Sequence, residues 1–232
     1  EQQKSGKNYV LVKKAVKLKN QKNEDQTYSL TLQNLQFTKK MYQPTNIVAE
    51  IAVAIDDPNT AWSPVMRDVV VSSFKGKKVS LWDVQGVSNS NSIYSYKKVG
   101  EDFYVSTVNV KYKENYMRIY LHINSLDKML TEDNTCRTFV GKKLCADIMK
   151  DVVTKIAAPY DNNQKLAYTN SMQNLSYTHS GKATEHIFPF LVQYNESSYD
   201  MLARTANRWG EFLYYEDGKL TVGCPTSTAI NL

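Results

Sequence analysis

The sequence predicts a β-rich (α+β) fold in which an antiparallel β-barrel or sandwich comes first and a helix-containing segment follows. Three observations lead to this prediction. Apolar and polar residues alternate with period two through most of the first 130 residues, as expected for strands with one buried face. A helical stripe of apolar residues follows residue 131, and residues 192–223 combine a strand, a short helix and a hairpin.

The first half of the chain predicts a series of strands joined by turns, with no convincing helix among them. The predicted strands cover Val10–Leu18, Tyr28–Leu32, Ile47–Ile55, Val69–Val71, Phe74–Leu81, Phe103–Tyr112 and Tyr116–Ile123. The last two form a long hairpin across residues 113–115. Polar breakers at residues 56–59 and 86–92 separate the others.

One helix of about three to four turns is predicted after residue 131. Leu144, Ile148, Val152 and Ile156 recur at period four and give the helix one apolar face. Pro159 is expected to end it, because proline lacks the amide proton that a helix interior needs. Residues 160–185 are polar and carry no pattern that assigns them to an element.

The segment from residue 192 onward contains the strongest local signals. Ser197 and Asp200 have the spacing of a capping box, in which two side chains satisfy free amide groups at a helix start. Gly210 lies where a left-handed residue commonly ends a helix, and Asp217-Gly218 suits a two-residue hairpin turn. The predicted apolar face of the helix consists of Tyr199, Leu202, Ala203, Ala206 and Trp209, opposite Arg204, Asn207 and Arg208.

The net charge of +6 is confined to one end of the chain. Residues 1–22 contain seven lysines and one glutamate, so the remaining residues are neutral in sum. A lysine-rich arm could contact an acidic partner or nucleic acid. The alternative, which we favour, is that lysines protect an exposed edge strand from aggregation. No arginine is interleaved with these lysines and Tyr9 is the only aromatic residue among them, so nucleic acid is not an expected partner.

No catalytic or metal-binding motif is present. His122, His179 and His186 are far apart in sequence, and Cys136, Cys145 and Cys224 form no metal-ligand or disulfide pattern. Gly141-Lys142-Lys143 lacks the flanking residues of a phosphate loop and is interpreted as a helix start. Asp56, Asp57, Glu101 and Asp102 are expected in turns. We therefore predict no catalytic residues, no cofactor and no metal, and no apolar run is long enough for a membrane anchor.

Several blocks between about residues 70 and 222 resemble a known family in their order and spacing. They are similar to the hub portion of VgrG, the type VI secretion spike protein, and equally to the late-control D family of contractile-phage baseplate hubs. The matching blocks are Phe74–Leu81, Arg118–Leu121 with Leu126, an Arg-x-Phe-x-Gly-Lys pattern at 137–142 before Asp147-Ile148, and Val192–Ser197 with Gly210–Tyr215.

The resemblance implies a fold and a mechanical role. It implies a first β-barrel hub domain over residues 1–130, a helix-containing connecting segment over 131–190, and the opening of a second, truncated hub barrel over 191–232. Members of the family form trimers whose barrels make a pseudo-sixfold ring, which adapts a hexameric tail tube to a three-fold needle. The residues that match the hub motif are structural: Tyr194, Asn195, Glu196, Ser197, Asp200, Trp209 and Gly210.

The partners implied by the resemblance are further copies of the chain in a homotrimer, an Hcp-like tail-tube protein, other baseplate components and possible effector cargo. Such a protein is made and assembled in the bacterial cytoplasm, then exported with the spike or carried in a phage-like particle. Two other functions stay open. One is a carbohydrate- or polyanion-binding β module that uses the lysine-rich arm, and the other is an enzyme whose carboxylates meet only in the folded chain.

Overall fold

A computed structural model describes residues 15–19, 25–54, 64–87, 94–113, 116–156, 166–171, 176–179, 182–185 and 187–223. The chain is strand-rich, as predicted. It forms two compact units, one of residues 1–38 and 46–124 and the other of residues 39–45 and 125–232. The predicted domain division at residues 130 and 190 stays a prediction. Most of the lysine-rich arm lies outside the described residues, as do Asp56, Asp57, Pro159, His186 and Cys224.

The first unit is built on a six-stranded antiparallel sheet that curls into a half-barrel. Its strand order is β1-β2-β3-β6-β5-β4. The strands are β1 Ala15–Lys19, β2 Asp25–Lys40, β3 Gln43–Ala54, β4 Lys78–Val87, β5 Tyr94–Lys113 and β6 Tyr116–Asn124. The predicted long hairpin is confirmed as β5 and β6, and their inward residues alternate with exposed or half-buried ones.

Alternation along these strands produces the core of the first unit. Ile47, Ile51, Phe103, Ile119 and Ile123 are each at most 2% exposed. Residues of β3 lie directly opposite residues of β6, so that Ile47 faces Ile123 and Ile51 faces Ile119. These cross-strand pairs fix the register, because a slip of one residue would turn the whole apolar set toward solvent.

Residues 69–71 are not a strand, and this part of the prediction was wrong. They belong to helix α1, Pro64–Phe74, which precedes β4. Pro64 is the first helical residue, where its missing amide proton costs nothing. Val70 and Phe74, four residues apart, are buried together in the core of the first unit. This burial outweighs the weak preference of valine for strands.

Over its described residues, the second unit combines three small sheets with two α-helices and a 3-10 helix, Leu126–Thr131. Its remaining elements are β7 Asn134–Leu144, α2 Cys145–Ile156, β8 Ala167–Ser171, β9 Ser176–His179, β10 Lys182–Glu185, β11 Ile187–Ser197, α3 Ser198–Arg208, β12 Leu213–Glu216 and β13 Lys219–Gly223. β7 pairs with β11 and β9 with β10, both antiparallel, and β13 lies between β12 and β8. The β13–β8 pair is parallel.

The predicted helix over Leu144–Ile156 is confirmed as α2, with Ile148, Met149, Val152 and Val153 buried. Gly141-Lys142-Lys143 was predicted as the start of this helix, and that prediction was wrong, because these residues continue β7. Lys143 pairs with Phe188 of β11, and Gly141 and Lys142 lie at an irregularity of the register before Val140 pairs with Phe190. Among the described residues, no helix is both long and apolar enough to cross a membrane.

The hairpin of β12 and β13 confirms the prediction for residues 212–223. Asp217 and Gly218 connect the strands with φ angles of 50° and 77°. A two-residue turn with positive φ at both central positions has the twist that antiparallel strands need. The β2–β3 turn, which belongs to the same unit, contacts this region. The Tyr42 amide donates to the Leu213 carbonyl at 2.8 Å, and its hydroxyl donates to the Glu211 carbonyl at 2.6 Å.

Candidate assembly surface

The residues of the predicted hub motif lie on β11, α3 and the loop after α3, all in the second unit. β11 runs antiparallel to β7, and between Gln193 and Glu196 the pairing is interrupted. Tyr194 and Asn195 together occupy the space opposite one residue of β7, which is a β-bulge. Asn195 has a φ of 47°, a left-handed conformation that asparagine adopts more readily than most residues.

The bulge leaves Tyr194 projecting into solvent with 77% of its surface exposed. Phe190, on the same side of β11, is 60% exposed and lies directly opposite Val140 of β7, which is 61% exposed. We call these three residues, with Val192 and Thr138 between them, the ribbon face. Exposed apolar residues that cluster in this way are typical of surfaces that contact another protein.

Glu196 connects β11 to α3 through an ion pair with Arg204. The guanidinium donates to both carboxylate oxygens, from Nη2 to Oε1 at 2.5 Å and from Nε to Oε2 at 3.2 Å. Nη2 also donates to the Val192 carbonyl at 3.0 Å. Arg204 is exposed, so the pair contributes little to stability. Its planar geometry instead fixes the direction in which the strand leads into the helix.

Ser197 caps the start of α3, as predicted. Its hydroxyl oxygen accepts a hydrogen bond from the Asp200 amide at 3.0 Å. The second half of the predicted capping box is different, because the Asp200 carboxylate accepts from the Ser197 hydroxyl at 2.7 Å. The Ser197 side chain therefore satisfies a free amide, and the Asp200 side chain holds that of Ser197 in place.

Asp133 provides a second anchor for the start of α3, and no local sequence pattern indicated this role. Its carboxylate accepts from the Ser198 amide at 3.2 Å and from the Ser198 hydroxyl at 2.7 Å. A negative charge is favourable there, because free amides give the N-terminus of a helix a partial positive charge. Ser198 is completely buried, so both hydrogen bonds stabilise the packed end of the helix.

The end of α3 has the predicted glycine stop. Gly210 has a φ of 69°, which costs little without a Cβ atom. Its amide donates to the Asn207 carbonyl, and the Glu211 amide donates to the Ala206 carbonyl, each at 3.0 Å. These two bonds form a Schellman motif around Trp209. The chain is thereby turned from the helix into β12.

Ser197→Ala is expected to destabilise the chain by about 1 kcal/mol, because the Asp200 amide loses its acceptor. The free energy of unfolding, measured in urea by circular dichroism, tests this. Asn207→Ala, on the exposed side of the same helix, is the matched control and should change stability by less than about 0.5 kcal/mol. Equal effects of the two substitutions would contradict the role of Ser197 as the cap.

A buried polar cluster supports the packed face of α3. Tyr199 is 2% exposed, and its hydroxyl faces the carboxylate of Asp127, which is completely buried. Burial, together with the negative charge of Asp127, raises the pKa of Tyr199 well above its usual range. The Asp127 carboxylate also accepts from the Ser125 hydroxyl, and that hydroxyl accepts from the Thr45 amide at 2.8 Å.

The polar residues of the second unit therefore cap, anchor and orient elements of the fold. Within the described ranges, no group of three or more His, Cys, Asp or Glu side chains could hold a metal ion. In the first unit, Asp102 lies in β5 and not in a turn as predicted. It contacts Lys78, Lys98 and Ser80. Burial opposes its charge, but these hydrogen bonds outweigh burial and hold the pKa of Asp102 well below its usual range.

Three solved structures are similar to this chain at low sequence identity. The c3393 protein of E. coli, described as a component of the type VI secretion system with structural similarity to the T4 bacteriophage tail proteins gp27 and gp5, aligns at a TM-score of 0.46 with 9% identity. The 43 kDa tail protein of prophage MuSo2 from Shewanella oneidensis gives 0.47 and 12%. The tail protein of Neisseria meningitidis MC58 gives 0.49 and 12%.

The alignments cover 83%, 92% and 93% of this chain and 48%, 56% and 52% of the respective structures. The chain thus spans about half the length of each of these proteins. No protein-family model matches the sequence, and a search of curated proteins finds no match either.

Proposed function

We propose that this chain is a structural hub component of a contractile injection machine, either a type VI secretion spike of the VgrG kind or a phage-tail baseplate. In this role it associates with copies of itself around an axis, as a homotrimer, and docks onto an Hcp-like tail tube and other baseplate components. It is not an enzyme. The protein is assembled in the bacterial cytoplasm and leaves the cell as part of a spike or of a phage-like particle.

The observation that carries this proposal is the ribbon face beside the hub motif. The residues that resemble the family motif use their polar groups to hold β11 and α3 together, and they leave Tyr194 exposed next to Phe190 and Val140. Aromatic residues are enriched at the centre of protein interfaces relative to ordinary surface.

A mechanical role also agrees with the chemistry of the polar groups. Asp133, Ser197 and Asp200 satisfy backbone amides or one another. Asp102 is held ionised by cations, which suits an ion pair and not a general acid working near neutral pH. These groups fix elements in place, so we assign the chain to assembly and not to catalysis.

Phe190→Asp in the full-length protein is expected to disrupt the homotrimer. A charge at the centre of an apolar interface costs about 2 kcal/mol or more, which is roughly thirtyfold in the association constant. Multi-angle light scattering at several concentrations should show the trimer mass for the unchanged protein and a monomer mass for the variant.

Met41→Asp is the matched control for this experiment. Met41 is 46% exposed, lies in the β2–β3 turn and is not a member of the ribbon face. The control should keep the mass of the unchanged protein. A full-length protein that is strictly monomeric without substitution would contradict the proposed function, and an unchanged mass for Phe190→Asp would contradict the use of the ribbon face.

A further inference from the structure

A cavity of about 530 Å³ lies against the buried face of the sheet in the first unit. Its walls are contributed by β2 to β6 and by the end of α1, and most of the lining side chains are apolar. They include Leu30, Ala49, Ile51, Leu81, Leu121 and Ile123. This volume falls in the range of roughly 300–1,000 Å³ that is typical of sites for small organic ligands.

The polar groups that line the cavity are confined to one segment of the chain. Ser73, Lys77, Lys78 and Ser80 all belong to the end of α1, the start of β4 or the turn between them. The cavity therefore has one polar end at this turn, while the walls formed by β2, β3 and β6 are apolar. A ligand that matches this division must itself be polar at one end only.

The polar end carries a lysine, Lys77, that no described carboxylate neutralises. Lys78 is paired with Asp102, which also binds Lys98. Among the described residues, no carboxylate lies within ion-pair distance of Lys77. Its ammonium group is therefore available to an anion at the polar end of the cavity.

We propose that this cavity binds a single-chain anionic amphiphile, such as a long-chain fatty acid. The hydrocarbon chain lies against the walls formed by Leu30, Ile51 and Leu121, where its burial provides most of the affinity. The carboxylate binds the ammonium of Lys77 and is close to Ser73. This inference is independent of the proposed role in assembly, because it concerns only the interior of the first unit.

The test measures displacement of a fluorescent fatty acid from the full chain by palmitate and by hexadecanol. The two competitors share a hydrocarbon chain and differ in charge, so palmitate should bind about tenfold more tightly through its charge-assisted hydrogen bond. Lys77→Glu should remove this preference. Lys75→Glu, in the same turn but not lining the cavity, is the matched control and should keep it.

A second variant tests whether the ligand occupies the cavity itself. Val79 lines the cavity and is only half-buried, so Val79→Trp can fill space without disturbing the fully buried core. It should weaken both competitors at least about tenfold, with an unchanged circular dichroism spectrum.

Three results would overturn the proposal. One is the absence of saturable palmitate binding by the unchanged chain. Another is an equal effect of Lys75→Glu and Lys77→Glu, which would indicate attraction to a basic surface only. The third is a loss of self-association by Val79→Trp in a protein that binds no palmitate, which would indicate that a second copy of the chain fills the cavity.

Discussion

Leu202→Ala is expected to lower the free energy of unfolding by about 2–5 kcal/mol, because it removes buried methyl groups and leaves a cavity. Leu202 is completely buried on the packed face of α3, beside Met201 and Ala206, which are equally inaccessible. The free energy of unfolding of a typical domain is only about 5–15 kcal/mol, so this one side chain accounts for a large share of it. Urea unfolding followed by circular dichroism measures the change.

Leu202→Met is the matched control for this substitution. It keeps the volume of the side chain nearly constant and should cost less than about 1.5 kcal/mol. A loss from Leu202→Ala no greater than the loss from Leu202→Met would mean that α3 is not packed as the structure has it. The expected order of stability is therefore the unchanged chain, then Leu202→Met, then Leu202→Ala.

The local structure of the second unit was predictable because its signals lie within a few residues of one another. Ser197 caps the helix that it precedes, Gly210 ends the helix that it follows, and Asp217-Gly218 closes its own hairpin. Each effect depends on the conformation of one or two residues and on hydrogen bonds to near neighbours. These local effects do not depend on how the rest of the chain is packed, provided that the helix forms.

Helix α1 could not be predicted in the same way because tertiary burial decides it. Three consecutive valines at 69–71 favour a strand by local preference. The only contrary local signal is Pro64, which suits a first helical position but also suits a turn. Burial of Val70 with Phe74 in the core of the first unit decides between them, and that contact becomes visible only when the sheet is formed.

The ribbon face, too, was predictable only where its signals are local and not where they depend on tertiary contacts. The strand that begins the segment from residue 192 was predicted, but which side of β11 faces solvent depends on its pairing with β7. Phe190 meets Val140 across the sheet, fifty residues earlier in the chain. The anchor from Asp133 to Ser198 likewise joins residues 65 positions apart. Sequence spacing carries no information about such contacts unless the topology is already known.

Asp127→Ala is expected to destabilise the chain by about 2–4 kcal/mol, because it removes an acceptor and leaves the buried Ser125 hydroxyl without one. Asp127 is completely buried, accepts from the Ser125 hydroxyl and faces the Tyr199 hydroxyl. It thus links the 3-10 helix to α3 inside the second unit. Urea unfolding of Asp127→Ala, Tyr199→Phe and the double variant gives a double-mutant cycle for this link.

The cycle separates a specific contact from a general loss of packing. If the Asp127 carboxylate and the Tyr199 hydroxyl interact, removing both groups costs less than the sum of the single losses, by about 1 kcal/mol or more. In the Tyr199→Phe background the Tyr199 hydroxyl is already absent. Loss of the Asp127 carboxylate then leaves one fewer buried donor without an acceptor. Strictly additive losses would mean that each residue stabilises the unit independently, and that the buried carboxylate is held by Ser125 and not by Tyr199.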